Sequence, residues 1–522
     1  MSAVLALPRV VVDAAGGPLE EAAAASLAEV RVQRALSAPA LCELTFVDPP
    51  PAAAVATSLA PGTTLRVRVP DRDEPLFAGE VTAVEYVYDP DRGREIRVRG
   101  YDLLHRLRKR QTPRVHLETT AADLASEMAA EVGLGADALE SGPVWPRIIQ
   151  HRQSDLELLL DVCERSGLFL TVDGDTLRVI TLAGTGETVA LELGGTLIEA
   201  SIETNGDPAI RSVSVVGWDL GRIEPHRAVA SEARSGRTAE AEVAPDEVGA
   251  SGERTFLDEG VTDDALALAL AQAELDLRVA GEVVLRGIAL GDPRLRPGVA
   301  VEIPNVDAGL AGSYVLTEVR HTIDREGGFV SEISSAPPDV ALRRRGAMTT
   351  AGIVESVDDP DGLGRVQVRL PSFGDVETGW LGVVSVGAGS GKGMVALPDA
   401  GDRVLVLLAN EDPAQAIVLG GLYGAEGPFD SGVVSGTIQR YSLRTPGGRL
   451  VRLDDENQTI RVEDSQGNFV ELTPDELRVH SESRVVVDSV AELTIRAGAD
   501  LTIEAPGKAI RIRAKSIDFE TA

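Results

Sequence analysis

Apolar residues in the last seventy positions of this chain recur in pairs, each pair split by one residue. The pairs are Leu477/Val479, Val485/Val487, Leu493/Ile495, Leu501/Ile503, Ile510/Ile512 and Ile517/Phe519, with Val470/Leu472 one step earlier. Their first members are 8, 8, 8, 9 and 7 residues apart. Alternation places both members of a pair on one face of a short strand. A step of eight leaves room for strand, turn, strand and turn, and none for a helix. Strands of a single-chain solenoid or of an ordinary sandwich are the alternative, and the step counts against the solenoid, whose coils need about twenty residues each. Two inward side chains per strand are too few to close a core within one chain. Three chains wound about one axis would close it, as a triple-stranded intertwined β-helix (a prism) formed by a homotrimer. Its core would be Val470, Leu472, Leu477, Val479, Val485, Val487, Leu493, Ile495, Leu501, Ile503, Ile510 and Ile512, and its far end Ile517 and Phe519. Such a rod is rigid and has no pocket, so its expected role is mechanical.

The 522 residues exceed what one core can organise, and three or more domains are expected. Apolar content of 43% excludes wholesale disorder, and 3% aromatics means cores of Val, Leu, Ile and Ala. A net charge of −32 argues against nucleic acid or an anionic membrane as partner. The repeat region is nearly balanced, so the acidic excess lies upstream, where it suits solubility or a basic partner. Cys42 and Cys163 do not make a disulfide framework and read as small buried hydrophobes. The first residues carry no basic, apolar secretory signal, and no window reaches the roughly twenty apolar residues of a membrane span. Assembly in the cytoplasm is expected, with any exit by a route that needs no N-terminal signal.

Upstream of the repeat the chain reads as mainly β and multidomain. Strand patterns at Val30–Leu36, Leu41–Val47, Leu65–Val69 and Val81–Tyr88 lead to the turn Asp89–Gly93 and a returning strand at Ile96–Val98. Helices are expected from Thr120 to Val132 and from Ser154 to Ser166, then a hairpin of Leu168–Val172 and Leu177–Ile180. Ser231–Asp264 is polar and acidic and reads as a loop or long excursion, followed by a helix over Ala265–Val279. Landmarks of the first segment return further along the chain, in the same order and at a nearly constant offset. Pro61-Gly62, Leu65, Val67, Ala78-Gly79 and Val84-Glu85-Tyr86 match Pro297-Gly298, Val301, Ile303, Ala311-Gly312 and Val319-Arg320-His321. Duplication of one small β-barrel accounts for this, and three chains would then present six similar modules. Ala336–Gly346 reads as a linker. Strands expected at Gly352–Val357, Arg365–Leu370, Val383–Val386, Arg403–Leu408 and Ala416–Gly420 form a barrel of OB type. The organisation expected is therefore a first hub barrel (1–110), an α/β insert (111–188), a second hub barrel with a helix (189–345), an OB-fold (346–430), a neck (431–450) and the trimeric spike (451–522).

Little in the sequence suggests catalysis. Gly387–Gly393 looks like a phosphate loop but lacks its spacing, since Val386 and Gly393 stand where Gly and Ser or Thr belong. His105, His116, His151, His226, His321 and His480 share no metal-ligand spacing. Asp454-Asp455-Glu456 reads as a solvated turn, and no hydrolase elbow or specific carboxylate pair stands out. No catalytic, cofactor-binding or metal residue is assigned, and the chain is expected not to be an enzyme.

Several stretches resemble a known family. They are Phe77-Ala-Gly-Glu-Val81, Arg99–His105, Gln153–Leu160 with Gly167–Leu170, and above all the OB segment. That segment carries Gly352-Ile-Val, Asp361-Gly-Leu-Gly-Arg-Val-Gln-Val368, Trp380, Pro398, Gly401-Asp-Arg-Val-Leu-Val406 and Asp412-Pro413 through Gly424. Together with the order barrel, insert, barrel, OB-fold and prism, they resemble the VgrG-type spike and the hub-and-spike proteins of contractile phage tails, tailocins and extracellular injection systems. The resemblance implies a homotrimeric, membrane-puncturing central spike of a type VI secretion-like or phage-tail-like particle. It implies a hexameric inner tube on the hub face, a PAAR-like tip protein at the C-terminal end, baseplate neighbours and effector cargo as separate partners. The particle would be released or delivered into target cells. A trimeric receptor-binding fibre or adhesin is the alternative, disfavoured because the repeat runs almost to Ala522 without a bulky head.

Overall fold

Capping chemistry starts the helices where the sequence signals them. In the computed structural model Thr120 accepts from the Asp123 amide while the Asp123 carboxylate accepts in return, opening α1 (Ala121–Val132). Ser154 and Glu157 make the same reciprocal pair at the start of α2 (Asp155–Arg165). The structure describes residues 10–51, 54–70, 72, 74–90, 93–220, 222, 224–339, 346–424 and 427–520. The opening residues, Asp91-Arg92 in the first turn and most of the expected linker, including Arg343–Arg345, lie outside the described residues. The chain is mainly β, with several sheets and a small closed barrel. It divides into two compact units, 1–422 and 423–522.

In the first unit one pattern of strand pairing occurs twice. Strands β1 (Leu27–Ala35), β2 (Leu41–Val47), β3 (Thr64–Arg68), β4 (Phe77–Asp89) and β5 (Gly93–Tyr101) pair in the order β1-β2-β5-β4-β3. The second set is β6 (Leu197–Thr204), β7 (Val283–Leu290), β8 (Ala300–Ile303), β9 (Gly312–Val315), β10 (Glu318–Asp324) and β11 (Gly328–Ser334). Its order is β6-β7-β11-β10, with β9 on β8, so β9 and β10 stand for the two halves of β4. The correspondence extends to defects: β1 is irregular between Leu27 and Glu29, and β6 at the matching place, between Leu197 and Glu199. The hairpins also correspond, one closing at Asp89/Gly93 and the other at Asp324/Gly328. β10 pairs with β1, so the first set and β6, β7, β10 and β11 of the second share one eleven-stranded sheet, while β8 and β9 belong to a separate three-stranded one. Val32, Leu44, Phe46, Val67 and Phe77 fill the first core; Leu285, Val301, Tyr314, Leu316 and Val319 fill the second. Cys42 lies in the first of these and Cys163 in the insert, and burial pushes both thiols well up, Cys163 to about 12. Two inert, separated thiols result.

Between the sets, α1 and α2 cover the hairpin Phe169–Asp173 and Thr176–Ile180, burying Leu124, Met128, Leu159, Leu170 and Leu177. A second departure from the repeat is the excursion 205–282, placed between β6 and β7 where the first set has only a short turn. The sequence reads Ser231–Asp264 as a loop or long excursion; within it Glu253–Gly260 is a strand, parallel to Ser212–Asp219. It lies at the edge of a three-stranded sheet, Glu253, Thr255 and Leu257 are exposed, and its polar composition hid it. α3 (Asp264–Glu282) then packs across that sheet.

The closed barrel is β12 (Met348–Ser356), β13 (Val366–Leu370), β14 (Val376–Val383), β15 (Arg403–Leu408) and β16 (Ala416–Gly421). Val354, Val366, Val368, Val404, Val406 and Val418 fill it. Its third strand falls earlier than the sequence reading placed it. Val376–Val383 pairs with β13, whereas Val384 and Val386 are exposed and lead into the glycine-rich loop. Thr378 takes an inward position by accepting from the Val368 amide, so the alternation shows no apolar residue there. The Asp361–Val368 motif is also explained. Asp359 accepts from the Asp361, Leu363 and Arg365 amides and from the Arg365 guanidinium, which pins the turn into β13.

Candidate functional site

The second unit opens its sheet with five antiparallel strands in chain order: β17 (Arg440–Arg444), β18 (Leu450–Asp454), β19 (Thr459–Glu463), β20 (Phe469–Leu472) and β21 (Leu477–His480). Register aligns two apolar rows across them. One is Leu443, Val451, Val462, Val470 and Val479; the other is Tyr441, Leu453, Ile460, Leu472 and Leu477. All ten side chains share one face and all are exposed, from 37% at Val451 to 66% at Leu477. The opposite face is charged and carries ion pairs within the chain. Arg461 bridges Glu463 and Glu471 at 2.6 and 2.9 Å, and its guanidinium sits 4.0 Å from the Phe469 ring centre. Asp430 is held by Arg440, which keeps its carboxyl low, at about 2. A sheet with one charged, bonded face and one bare apolar face is half of a packed structure.

Four of the expected core residues, Val470, Leu472, Leu477 and Val479, lie in these rows. Beyond His480 the described residues form no strand, and Val485, Val487, Leu493, Ile495, Leu501, Ile503, Ile510, Ile512, Ile517 and Phe519 are all at least half exposed. A four-residue segment finds no ladder within its own chain there. The upstream members Tyr441/Leu443, Val451/Leu453 and Ile460/Val462 escaped the sequence reading. They show the same spaced pair, but at steps nearer ten than eight. Of the acidic run read as a solvated turn, Asp455 and Glu456 are exposed in a turn, whereas Asp454 is buried at the end of β18 and accepts from the amide and side chain of Asn457.

The first unit offers a cavity of about 470 Å3 where barrel, insert and excursion meet. Trp145, Trp218 and Trp380, the three tryptophans of the chain, line it together with Arg147, Arg222 and Arg365. The histidines are dispersed: His105 on Glu80 at 2.6 Å, His116 on Glu127, His226 on Asp264 and His480 on Glu482. Among the described residues no three His, Cys, Asp or Glu side chains converge as a metal site, and no helix is long and apolar enough to cross a membrane.

This fold is that of a VgrG-like hub protein. Residues 350–423 match the family of the type VI secretion system/phage-baseplate injector OB domain. Residues 8–325 match the Alg8 N-terminal domain family, and because that match spans more than half of the chain, the protein belongs to this family. No curated protein matches the sequence. Among solved structures, a chain of the Francisella PdpA-VgrG complex shares the fold with a TM-score of 0.55 at 8% identity, over 92% of this chain and 89% of that one. A component of the Escherichia coli type VI secretion system aligns at TM-score 0.47 and 12% identity, over 76% of this chain and 97% of its own. The 43 kDa tail protein of a Shewanella oneidensis prophage aligns at TM-score 0.47 and 16% identity, over 62% and 97%.

Proposed function

We propose that this protein is the structural hub and spike of a contractile injection system and acts as a homotrimer. The observation that carries the reading is the ten-residue apolar face of the second unit, bare on a sheet whose other face carries the Arg461 ion pairs. Three copies winding their repeats together bury that face and the pairs from Val485 to Ile512 against each other. The rod so formed needs no active site, and the chain works without catalysis of its own. Residues 1–345 form the ring on which a hexameric inner tube is built, 346–430 the barrel beneath it, 431–450 the neck and 451–522 the spike. A PAAR-like tip protein caps the rod at Ile517 and Phe519, and baseplate proteins surround the ring. Effector cargo travels as separate partners. Contraction drives the rod through the target envelope.

The test is the solution mass of the purified full-length chain by light scattering, with and without mild detergent. A detergent-resistant species of three chains is expected. A chain that stays monomeric at high concentration overturns the reading.

A further inference from the structure

Every tryptophan of the chain lines one cavity, the space of about 470 Å3 where barrel, insert and excursion meet. Its size is that of an ordinary small-molecule site. Trp145 opens the insert strand Trp145–Gln150, Trp218 lies near the end of Ser212–Asp219 in the excursion, and Trp380 stands on β14. Three separate stretches thus bring the same scarce side chain to one place, in a chain with 3% aromatics. Only Trp145 belongs to a core, and the Arg165 guanidinium covers its ring at 4.2 Å from the centre. Trp218 is 43% exposed and Trp380 half-buried, so both keep surface to offer.

The barrel enters the cavity from the side on which barrels of its type hold extended ligands. Its closed order β12-β13-β14-β16-β15, with β14 parallel to β16, is that of an OB-fold. Such folds bind oligonucleotides and oligosaccharides over the second and third strands and the loops after the first and fourth. Here the third strand gives Trp380, the loop into β13 ends in Arg365, and the loop between β15 and β16 gives Asp412 and Gln415. Charge separates the two ligand classes. Arg365 is held by Asp359 and Asp361, each at 2.7 Å, and Arg222 lies 3.9 Å from Asp361. Asp219 and Asp263 add negative charge to the same lining. A phosphate backbone is repelled by such a wall, in a chain of net charge −32. A neutral sugar is not, because a hydroxyl both gives and takes hydrogen bonds and so pairs with carboxylate, amide and guanidinium alike. Two of the lining residues also keep a buried polar atom without a hydrogen-bond partner, the donor Trp145 Nε1 and the acceptor Gln415 Oε1, and a hydroxyl can serve either. The indoles complete the fit: the axial C–H bonds of a pyranose with equatorial hydroxyls lie flat on the negative face of an aromatic ring.

We infer that this cavity binds a neutral oligosaccharide of β-linked, gluco-configured pyranoses, stacked on Trp218 and Trp380 with its hydroxyls bonded by the polar side chains around them. The site needs only residues 1–422 folded, and holds whether or not the spike reading does. Because no tryptophan lies elsewhere, the intrinsic tryptophan emission of the unaltered full-length protein reports on this cavity alone. It is titrated with cellopentaose, with the β-linked pentamer of N-acetylglucosamine and with a single-stranded oligothymidylate. A saturable change with at least one glycan and none with the oligothymidylate is expected. Trp218→Ala and Trp380→Ala, read by calorimetry, should each weaken glycan binding about tenfold or more, with the light-scattering mass unchanged. Trp218→Phe keeps a flat ring and should recover part of the loss. Emission of the unaltered protein that responds to neither glycan overturns the assignment. Glycan binding that survives both alanine variants also overturns it, by placing the sugar elsewhere. A saturable response to the oligothymidylate overturns the class of ligand.

Discussion

Replacing Ile495 by aspartate tests the spike at a single level. Ile495 keeps 68% of its surface in the single chain. Full burial of such a side chain is worth about 1.5–3 kcal/mol, so covering this remainder contributes about 1–2 kcal/mol per chain and about 3–6 kcal/mol where three chains meet. Ile495→Asp removes that gain and sets three carboxylates around one axis. Each pair of like charges costs about 1 kcal/mol at 4 Å even at the dielectric of water, and more when water is excluded. The level therefore loses about 6–9 kcal/mol, enough to open the rod locally and let detergent in. Thr494→Asp is the control, because Thr494 lies between the members of the pair and points away from the axis. The assay is the detergent-resistant band of unheated full-length protein on a gel, with its light-scattering mass. The band should vanish for Ile495→Asp and persist for Thr494→Asp. Equal trimer stability in the two variants would refute the inward assignment of the pairs.

Other perturbations probe the hub and barrel. His321 is fully buried between the Ser331 hydroxyl and the Leu295 carbonyl, and burial pushes its pKa down to about 3. Below pH 6.5 the unfolded chain takes up a proton that the folded one refuses, so this site loses stability as pH falls, by about 2 kcal/mol at pH 5. The gap in urea stability between parent and His321→Leu should narrow by that amount from pH 7 to pH 5; an unchanged gap would show an ordinary histidine. Gly79→Ala drives a methyl group into the Tyr101 carbonyl, which β5 holds in place. A loss of about 1–3 kcal/mol is expected in the first hub core, measured by urea unfolding. Asp359→Ala strips the acceptor from the turn into β13 and should lower the melting temperature of the barrel, with partial recovery in Asp359→Asn. Hydrogen bonds from Arg365 and the turn amides keep the Asp359 carboxyl well below its usual range, so its contribution is held above the ordinary aspartate pKa and fades as pH falls through it.

Much of this was legible because it depends on neighbours in sequence. Thr120 and Ser154 announce their helices by contacts three residues away, and the Asp-and-Gly turns announce the hairpins. The eight-residue step of the apolar pairs announces the bare pairs, which beyond His480 are all at least half exposed. What escaped was set by partners far along the chain. Thr378 is inward only because the Val368 amide is there to meet it, and Glu253–Gly260 is a strand only because Ser212–Asp219 offers an edge. Two repeated modules could be read from landmarks that return in order, Pro61-Gly62 as Pro297-Gly298 and Leu65 as Val301, but not that β10 lies against β1. Periodicity fixes which face of a strand is apolar, and hence that these faces must be covered. Which strand covers which is decided by backbone hydrogen bonds that carry no sequence signature, so the shared sheet and its register appear only once the chain is folded.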